Sequence, residues 1–466
     1  MRLTLERIWQ KVRSLRLIHF VIIFMVICYS YAYFKNYKFT ILNPEEFLMA
    51  LPTPEDPARP NHPGPAHHPT FSHRDSPYPK NWRRLTKKEM ESLSVLGRRL
   101  YLEEDVGKEQ NRNFVILAWN QSDVDKERHI REFGGEELDP FRFCSVKNCQ
   151  LVTDDVFAER ADAIIFHLHR TNKTSTYPSR ANLNQRWIWL TDESPYNTLY
   201  FAEDKDISNY NGIFNWSMSY RMDSDVPVPY GRTVRMTAEE ASEYEKVDYF
   251  NIKTKLAAGI LTNCEATNNR TGYLKQLRKY IDIDIYGICF GVKWCQGHLN
   301  RDCIMLNDYK FFLAFENSNC KDYITEKVWW QSFQKGAIPV VMGTKTEDYR
   351  KHLPPKSFIH VDDFQSPYHL AKYLMYLEHN RTEFMEYHAW RSHFKVLNEH
   401  GYYGAKSYHY CRVCEALNYN NPAPTVYNYM EITWNNDTQC YPATWDSRMR
   451  ETPVFYRQSL LRLRQP

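Results

Sequence analysis

The stretch Phe315–Trp330, FENSNCKDYITEKVWW, sets Tyr323, Glu326 and Lys327 at spacings that share one face of a helix. The run before it, KFFLAFE, reads as a strand. Asp322 reads as an N-cap and the helix as running from Tyr323 toward Gln334, with Gly336 ending it. A helix start at a strand's carboxyl end points unpaired N–H groups and a positive dipole end at whatever lies there, which favours phosphate. A carboxylate for ribose hydroxyls, a cation for a diphosphate and a phenol that donates to a phosphate oxygen are the groups a nucleoside diphosphate sugar requires. The plain alternative is a solvated Glu–Lys pair.

Two further segments bear on that choice. In LTNCEATNNRTGYLKQLRKY an apolar strand runs through a polar loop into Arg270 at a helix start, a second cation able to fork onto phosphate; a surface arginine is the alternative. In RWIWLTDESPYNT a buried strand ends in Asp192 and Glu193. An acid there is placed to act as a general base on a hydroxyl, or to cap the next element, and the residues leave the two acids tied. Asp223 and Asp225 in DSD resemble a metal-binding pair. The VPVPYG that follows reads as an extended connection leaving the first domain, and cations for a diphosphate are already present. No metal ligand and no cofactor is therefore expected, with Mn²⁺ or Mg²⁺ at most a stimulant.

These residues need strand ends to hold them. Seven apolar runs recur, beginning at Phe114, Ala161, Arg186, Lys255, Ile281, Lys310 and Gly336. Their continuous apolar character fits parallel strands buried on both faces. Helix-like stretches such as NRTGYLKQLRKY and DYITEKVWWQSFQK lie between several of them. The expectation is α/β with two doubly wound domains, joined near Tyr230–Asp248, with ligands outside the carboxyl ends of the strands. No internal repeat is found.

At 466 residues and 43% hydrophobic composition the chain has room for two such domains plus appendages. A net charge of +4 from 60 basic and 56 acidic residues offers no field for a nucleic acid. The 18-residue run Leu17–Phe34 is just long enough to span a bilayer, with Arg2, Arg7, Lys11, Arg13 and Arg16 before it. That charge bias keeps the N-terminus cytosolic and sends the rest of the chain across the membrane. Nine of 24 prolines fall between Leu51 and Pro79, as in an extended stalk. Sequons at Asn120, Asn172, Asn215, Asn380 and Asn436 are glycosylation candidates, and a sixth at Asn269 sits beside Arg270. Ten of eleven cysteines follow the apolar run, where disulfides persist. CRVC at Cys411 and Cys414 has no second half, so disulfide bonding near the C-terminus is expected over zinc. Cys289, Cys295, Cys303 and Cys320 are expected to staple the neighbourhood of FENSNC.

RWIWLTDESPYNT, FNWSMSYRMDSDVPVPYG and FENSNCKDYITEKVWWQSFQKGAIPVVMG, in this order and spacing, resemble the α1,3-fucosyltransferases, GDP-fucose-dependent type II Golgi membrane enzymes. The similarity covers roughly Phe114–Cys414. It implies two Rossmann-like domains of GT-B type facing across a cleft, an inverting transfer of L-fucose from GDP-β-L-fucose to N-acetylglucosamine, and a luminal body on a Golgi anchor. It places the general base on Glu193 and donor-binding roles on Asn317, Tyr323, Glu326, Lys327 and Arg270, with Arg221 near the cleft. The segments divide into a cytosolic tail (1–16), a transmembrane anchor (17–34), a stem (35–108), an acceptor-side domain (109–240), a GDP-fucose domain (241–400) and a C-terminal extension (401–466). The insert YGICFGVKWCQGHLNRDC is closer to enzymes acting on the core N-acetylglucosamine of N-glycans. Outer N-acetyllactosamine, LacdiNAc or glycolipid acceptors are the alternatives, with a silent glycan-binding membrane protein as a further one. A homodimer is left open.

Overall fold

The computed structural model describes residues 78–120, 129, 140–141, 144–291, 295, 302–403, 405–423, 425–443 and 445. All seven apolar runs are strands: β1 Phe114–Ala118, β3 Ala163–His167, β4 Arg186–Thr191, β8 Lys255–Ile260, β9 Ile283–Tyr286, β10 Tyr309–Phe315 and β11 Ile338–Met342. Shorter strands complete the sheets: β2 Cys149–Val152, β5 Trp216–Ser219, β6 Val226–Pro227 and β12 Ile359–His360. The first sheet has the order β2-β1-β3-β4-β5-β6 and the second β12-β11-β10-β8-β9, with every pairing parallel. Both are doubly wound, and the order reverses between β1 and β3 in the first sheet and between β8 and β10 in the second. Crevices open at such reversals.

Every residue of β4 and β10 is buried. A single apolar cluster joins the sheets, running from Ile164, Phe166 and Trp189 through Tyr323, Val328 and Trp329 to Phe312 and Ala314. Separate clusters fill the outer face of each sheet. An antiparallel ribbon of β7 Gly231–Arg235 and β13 Phe394–Asn398 packs against the same centre. Gly231 has no alternative there, because a Cβ would lie 2.5 Å from the Trp329 ring and 2.6 Å from the Leu397 carbonyl.

Two expectations are corrected. The stem assigned to 35–108 does not reach 108: helices Lys87–Ser92 and Val95–Leu102 fold there, and Leu96, Leu100 and Tyr101 are buried against the first sheet. Apolar spacing resumes once the prolines stop. The helix expected from Tyr323 begins at Glu326 and passes at Trp329 into a π-helical turn ending at Gln334. Asp322 is not its cap, since its backbone is left-handed (φ +59°) and its carboxylate is held by His352 at 2.9 Å. Thr325 takes the cap position.

The four cysteines expected to staple the neighbourhood of FENSNC are all in disulfides, and Cys320 of that stretch is itself bonded. Only Cys295 and Cys303 pair with each other, while Cys289 bonds Cys264 and Cys320 bonds Cys440. Cys411 and Cys414 are both in disulfides, but with Cys144 and Cys149, 267 and 265 positions away. Helix His409–Tyr419 thereby lies on the first sheet rather than on the second. Among the described residues no helix is long and apolar enough to cross a membrane; the run Leu17–Phe34 lies outside them.

Candidate active site

The carboxyl ends of β4 and β10 face each other. Glu193, two residues past β4, accepts a hydrogen bond from the Tyr323 hydroxyl at 3.1 Å. Glu193 is half-buried and Tyr323 buried. Burial, then the nearby Glu193 carboxylate, hold the Tyr323 phenol well above the usual tyrosine range, so it is a donor at any physiological pH.

Lys327 is the hub of the second sheet's side. Its ammonium donates to Glu316 at 3.0 Å, to the Thr325 hydroxyl at 2.7 Å and to Glu326 at 3.3 Å. Burial alone would lower its pKa; Glu316 and Glu326 outweigh that and keep it above the ordinary lysine range. Glu316, which closes the KFFLAFE run, is fully buried, and burial raises its carboxyl against the pull of Lys327. It also takes the Thr325 backbone N–H at 2.8 Å. The leading amide at this helix start therefore serves a protein carboxylate. Sequence reasoning missed Glu316, although an acid ending a buried strand was the signal that singled out Asp192 and Glu193.

Arg270 opens helix Arg270–Leu277 as expected, but its side chain is buried, donating to the carbonyls of Phe315 at 2.6 Å and Asn263 at 2.9 Å. Burial lowers its pKa and Glu316, Tyr323 and Glu326 counter this, which places it in the same charged cluster. Asn317 is half-buried in the loop after β10, where its carbonyl accepts from the Thr267 N–H at 3.1 Å. Glu193, Tyr323, Glu326, Lys327 and Arg270 are thus brought together, with Asn317 on the adjoining loop.

Arg221 stands apart in its bonding. It grips Asp223 with two nitrogens, at 2.8 and 2.6 Å, and reaches Gln439 at 2.7 Å. Asp223 also receives Lys321 at 2.9 Å, while Asp225 takes the Ser217 N–H at 2.8 Å and the Tyr427 hydroxyl at 2.6 Å. The two DSD carboxylates point to different partners and serve as structural ties.

Asp192 and Glu193 are adjacent but face different ways. Asp192 is buried against His409 and His400, each 3.0 Å from its Oδ1. His169, just past β3, is a further site residue that sequence reasoning missed: it bonds the Asn197 carbonyl at 2.8 Å and feels the Glu193 charge. Burial lowers its pKa and Glu193 partly restores it. The paired histidines of HLHR closing an apolar run were the available signal.

Among the sequons, Asn215 is enclosed by the fold. It is only 3% exposed, and its side chain bonds Arg180, the Trp187 N–H and the Thr425 carbonyl. A residue whose amide is spent inside the fold presents nothing to glycosylate. Asn120 is exposed; Asn172, Asn380 and Asn436 are half-buried.

Comparison with known proteins bears on this geometry. Residues 111–231 match the family described as Fucosyltransferase, N-terminal, and residues 250–434 that described as Glycosyltransferase family 10 (fucosyltransferase) C-term. The chain is 34% identical over 306 residues to the Drosophila melanogaster glycoprotein 3-alpha-L-fucosyltransferase A, covering 65% of this chain and 57% of that protein. It is 34% identical over 287 residues to the Homo sapiens 4-galactosyl-N-acetylglucosaminide 3-alpha-L-fucosyltransferase FUT5, covering 60% and 71%. A crystal structure of an alpha1,3-fucosyltransferase with GDP-fucose covers 73% of this chain and 99% of its own at 16% identity and a TM-score of 0.42. The chain spans 57–64% of the length of the first relatives it matches.

Proposed function

The chain belongs to the glycosyltransferase family 10 α1,3-fucosyltransferases, and on that premise we propose that it transfers L-fucose from GDP-β-L-fucose to the 3-hydroxyl of N-acetylglucosamine in glycoprotein N-glycans, with inversion at the fucose carbon. The observation that carries the reading is the Tyr323–Glu193 hydrogen bond. It sets the acid at the end of β4 beside the Lys327, Arg270 and Glu316 cluster at the end of β10.

Glu193 takes the proton of the acceptor hydroxyl as that oxygen attacks fucose C1 from the face opposite GDP. The C1–O bond to the β-phosphate breaks ahead of bond formation, so the sugar gains oxocarbenium character and negative charge grows on the phosphate. Lys327 meets that charge by turning from Glu326, the longest of its three contacts at 3.3 Å. Glu326 accepts hydrogen bonds from the ribose hydroxyls. Tyr323 turns its hydroxyl from Glu193 to the phosphate, and Arg270 adds positive potential from beneath. Such preorganised charge is worth roughly 3 kcal/mol for each donor, about a hundredfold in rate.

The acceptor assignment draws on the insert after β9 and on the name of the fly relative. The anchor at 17–34 with the body in the Golgi lumen accords with the five disulfides among the described residues. The test is to incubate the full chain with GDP-fucose and a panel of defined N-glycans and to locate the added fucose by mass spectrometry. Fucose on a core N-acetylglucosamine is expected. Fucose only on outer N-acetyllactosamine would move the acceptor, and donor binding with no GDP release on any glycan would mark a silent binding protein.

A further inference from the structure

Behind Glu193 the structure gathers a second, buried constellation that the transfer reaction does not use. Asp192 Oδ1 lies 3.0 Å from His409 Nε2 and 3.0 Å from His400 Nε2, and its Oδ2 lies 4.0 Å from His129 Nε2. All four side chains are at most 5% exposed. One donor atom each from His129, Asp192 and His409 fall within 4.8 Å of one another. Three imidazoles that turn the same nitrogen toward one carboxylate are more than a packed histidine core requires.

Their outer partners follow a pattern found around metals. The Ser407 hydroxyl lies 2.6 Å from His129 Nδ1 and 3.1 Å from His409 Nδ1. Metal-bound histidines are oriented in this way, the far ring nitrogen donating to an oxygen while the near one keeps its lone pair for the ion. A hydroxyl with two lone pairs serves both rings at once. His400 supplies an independent sign. It is 2% exposed, stacked on Tyr230 at 3.8 Å, and neither of its ring nitrogens has a hydrogen-bond partner, although Nε2 faces the carboxylate. A buried unsatisfied imidazole nitrogen is costly unless something completes it.

We propose that His129, Asp192 and His409 hold a zinc ion, with His400 beside the shared carboxylate, and that the ion locks the segment carrying Glu193. Two imidazole nitrogens and a carboxylate oxygen, all buried, are donors that suit Zn²⁺. The ion ties the end of β4 to helix His409–Tyr419 and to His129. It therefore holds Asp192 while Glu193, the next residue, accepts from Tyr323, and the Tyr230 hydroxyl on the Asp192 carbonyl at 2.8 Å holds the same turn. Thiols do not compete for the metal, since all ten described cysteines are in disulfides. The DSD carboxylates are committed to Arg221, Lys321, Ser217 and Tyr427.

The test is the metal content of the untagged full-length chain in detergent, by inductively coupled plasma mass spectrometry, beside its thermal unfolding with and without a strong zinc chelator. About one zinc per chain is expected, with a lower Tm on removal and recovery on adding Zn²⁺. Ser407→Ala is expected to fold and to weaken zinc binding about tenfold or more. His409→Gln loses the ion, whereas Asp223→Asn keeps it. A wild-type chain that holds no zinc and whose Tm does not respond to added Zn²⁺ overturns the proposal, and marks the cluster as a proton-linked network around Asp192. Zinc retained undiminished in His409→Gln overturns it as well. Neither readout depends on which sugar is transferred.

Discussion

Tyr323 and Glu193, 130 positions apart and leaving strands of different sheets, share a hydrogen bond of 3.1 Å. The phenol is the donor and the carboxylate the acceptor. Glu193→Gln should lower kcat by two orders of magnitude or more, about 3 kcal/mol or above, while GDP binding by calorimetry stays within a few-fold. Tyr323→Phe should cost less, about tenfold in kcat, because Lys327 and Arg270 remain. Equal losses in both variants would argue against separate roles.

Lys327→Ala leaves Glu316 fully buried without its cation. Breaking one side of such a pair costs roughly 3–5 kcal/mol, so thermal unfolding should fall sharply together with activity. The double variant Lys327→Met with Glu316→Gln removes both charges and should recover much of the stability but none of the turnover. If activity returned with stability, Lys327 would have only a structural role.

Glu399 supplies a pH dependence. Burial would raise its carboxyl, but Arg232, bonded twice at 2.8 Å, and Arg412 at 3.0 Å outweigh burial and hold it below the ordinary value of 4.5. A depressed carboxyl contributes stability that is fully present above its unfolded pKa and is lost as pH falls through the folded one. Stability should therefore drop as pH falls below the ordinary value of 4.5 and through the lower folded one. Glu399→Gln should be less stable than wild type at pH 7, and the gap should narrow in acid. Parallel stability–pH curves for the two chains would contradict this.

Glycopeptide mapping of the expressed full chain should find Asn215 unmodified, because its side chain is enclosed by Arg180, Trp187 and Thr425. Asn120, exposed at the end of β1, is the sequon where modification should be found. A glycan on Asn215 in folded, active protein would contradict the burial.

Non-reducing peptide mapping should recover Cys144–Cys411 and Cys149–Cys414. Each closes a loop of more than 260 residues, and losing one should cost about 2–5 kcal/mol. Cys411→Ser is expected to lower Tm before it alters kinetic constants measured at low temperature.

Much of the fold was legible because a parallel strand covered on both faces is an unbroken apolar run. RWIWLT and KFFLAF read as strands for that reason, and the residues immediately after them fell at strand ends. The short strands β2, β5 and β12 escaped notice because four or two residues between loops carry no period. The helix start was misplaced by three residues because Asp322 looks like a cap, whereas His352, thirty positions on, claims its carboxylate.

Sequence by itself determined the two α/β halves, the residue types at their strand ends and the family to which the chain belongs, since these rest on local patterning and on motif order. Only the tertiary structure decided that Asp192 turns inward to histidines while Glu193 faces Tyr323. It alone revealed Glu316 beneath Lys327 and the return of the C-terminal helix to the first sheet through Cys411 and Cys414. The reason is that a side chain's partner is set by which strand ends and loops meet in space, and neighbouring residues such as Asp192 and Glu193 carry no record of it.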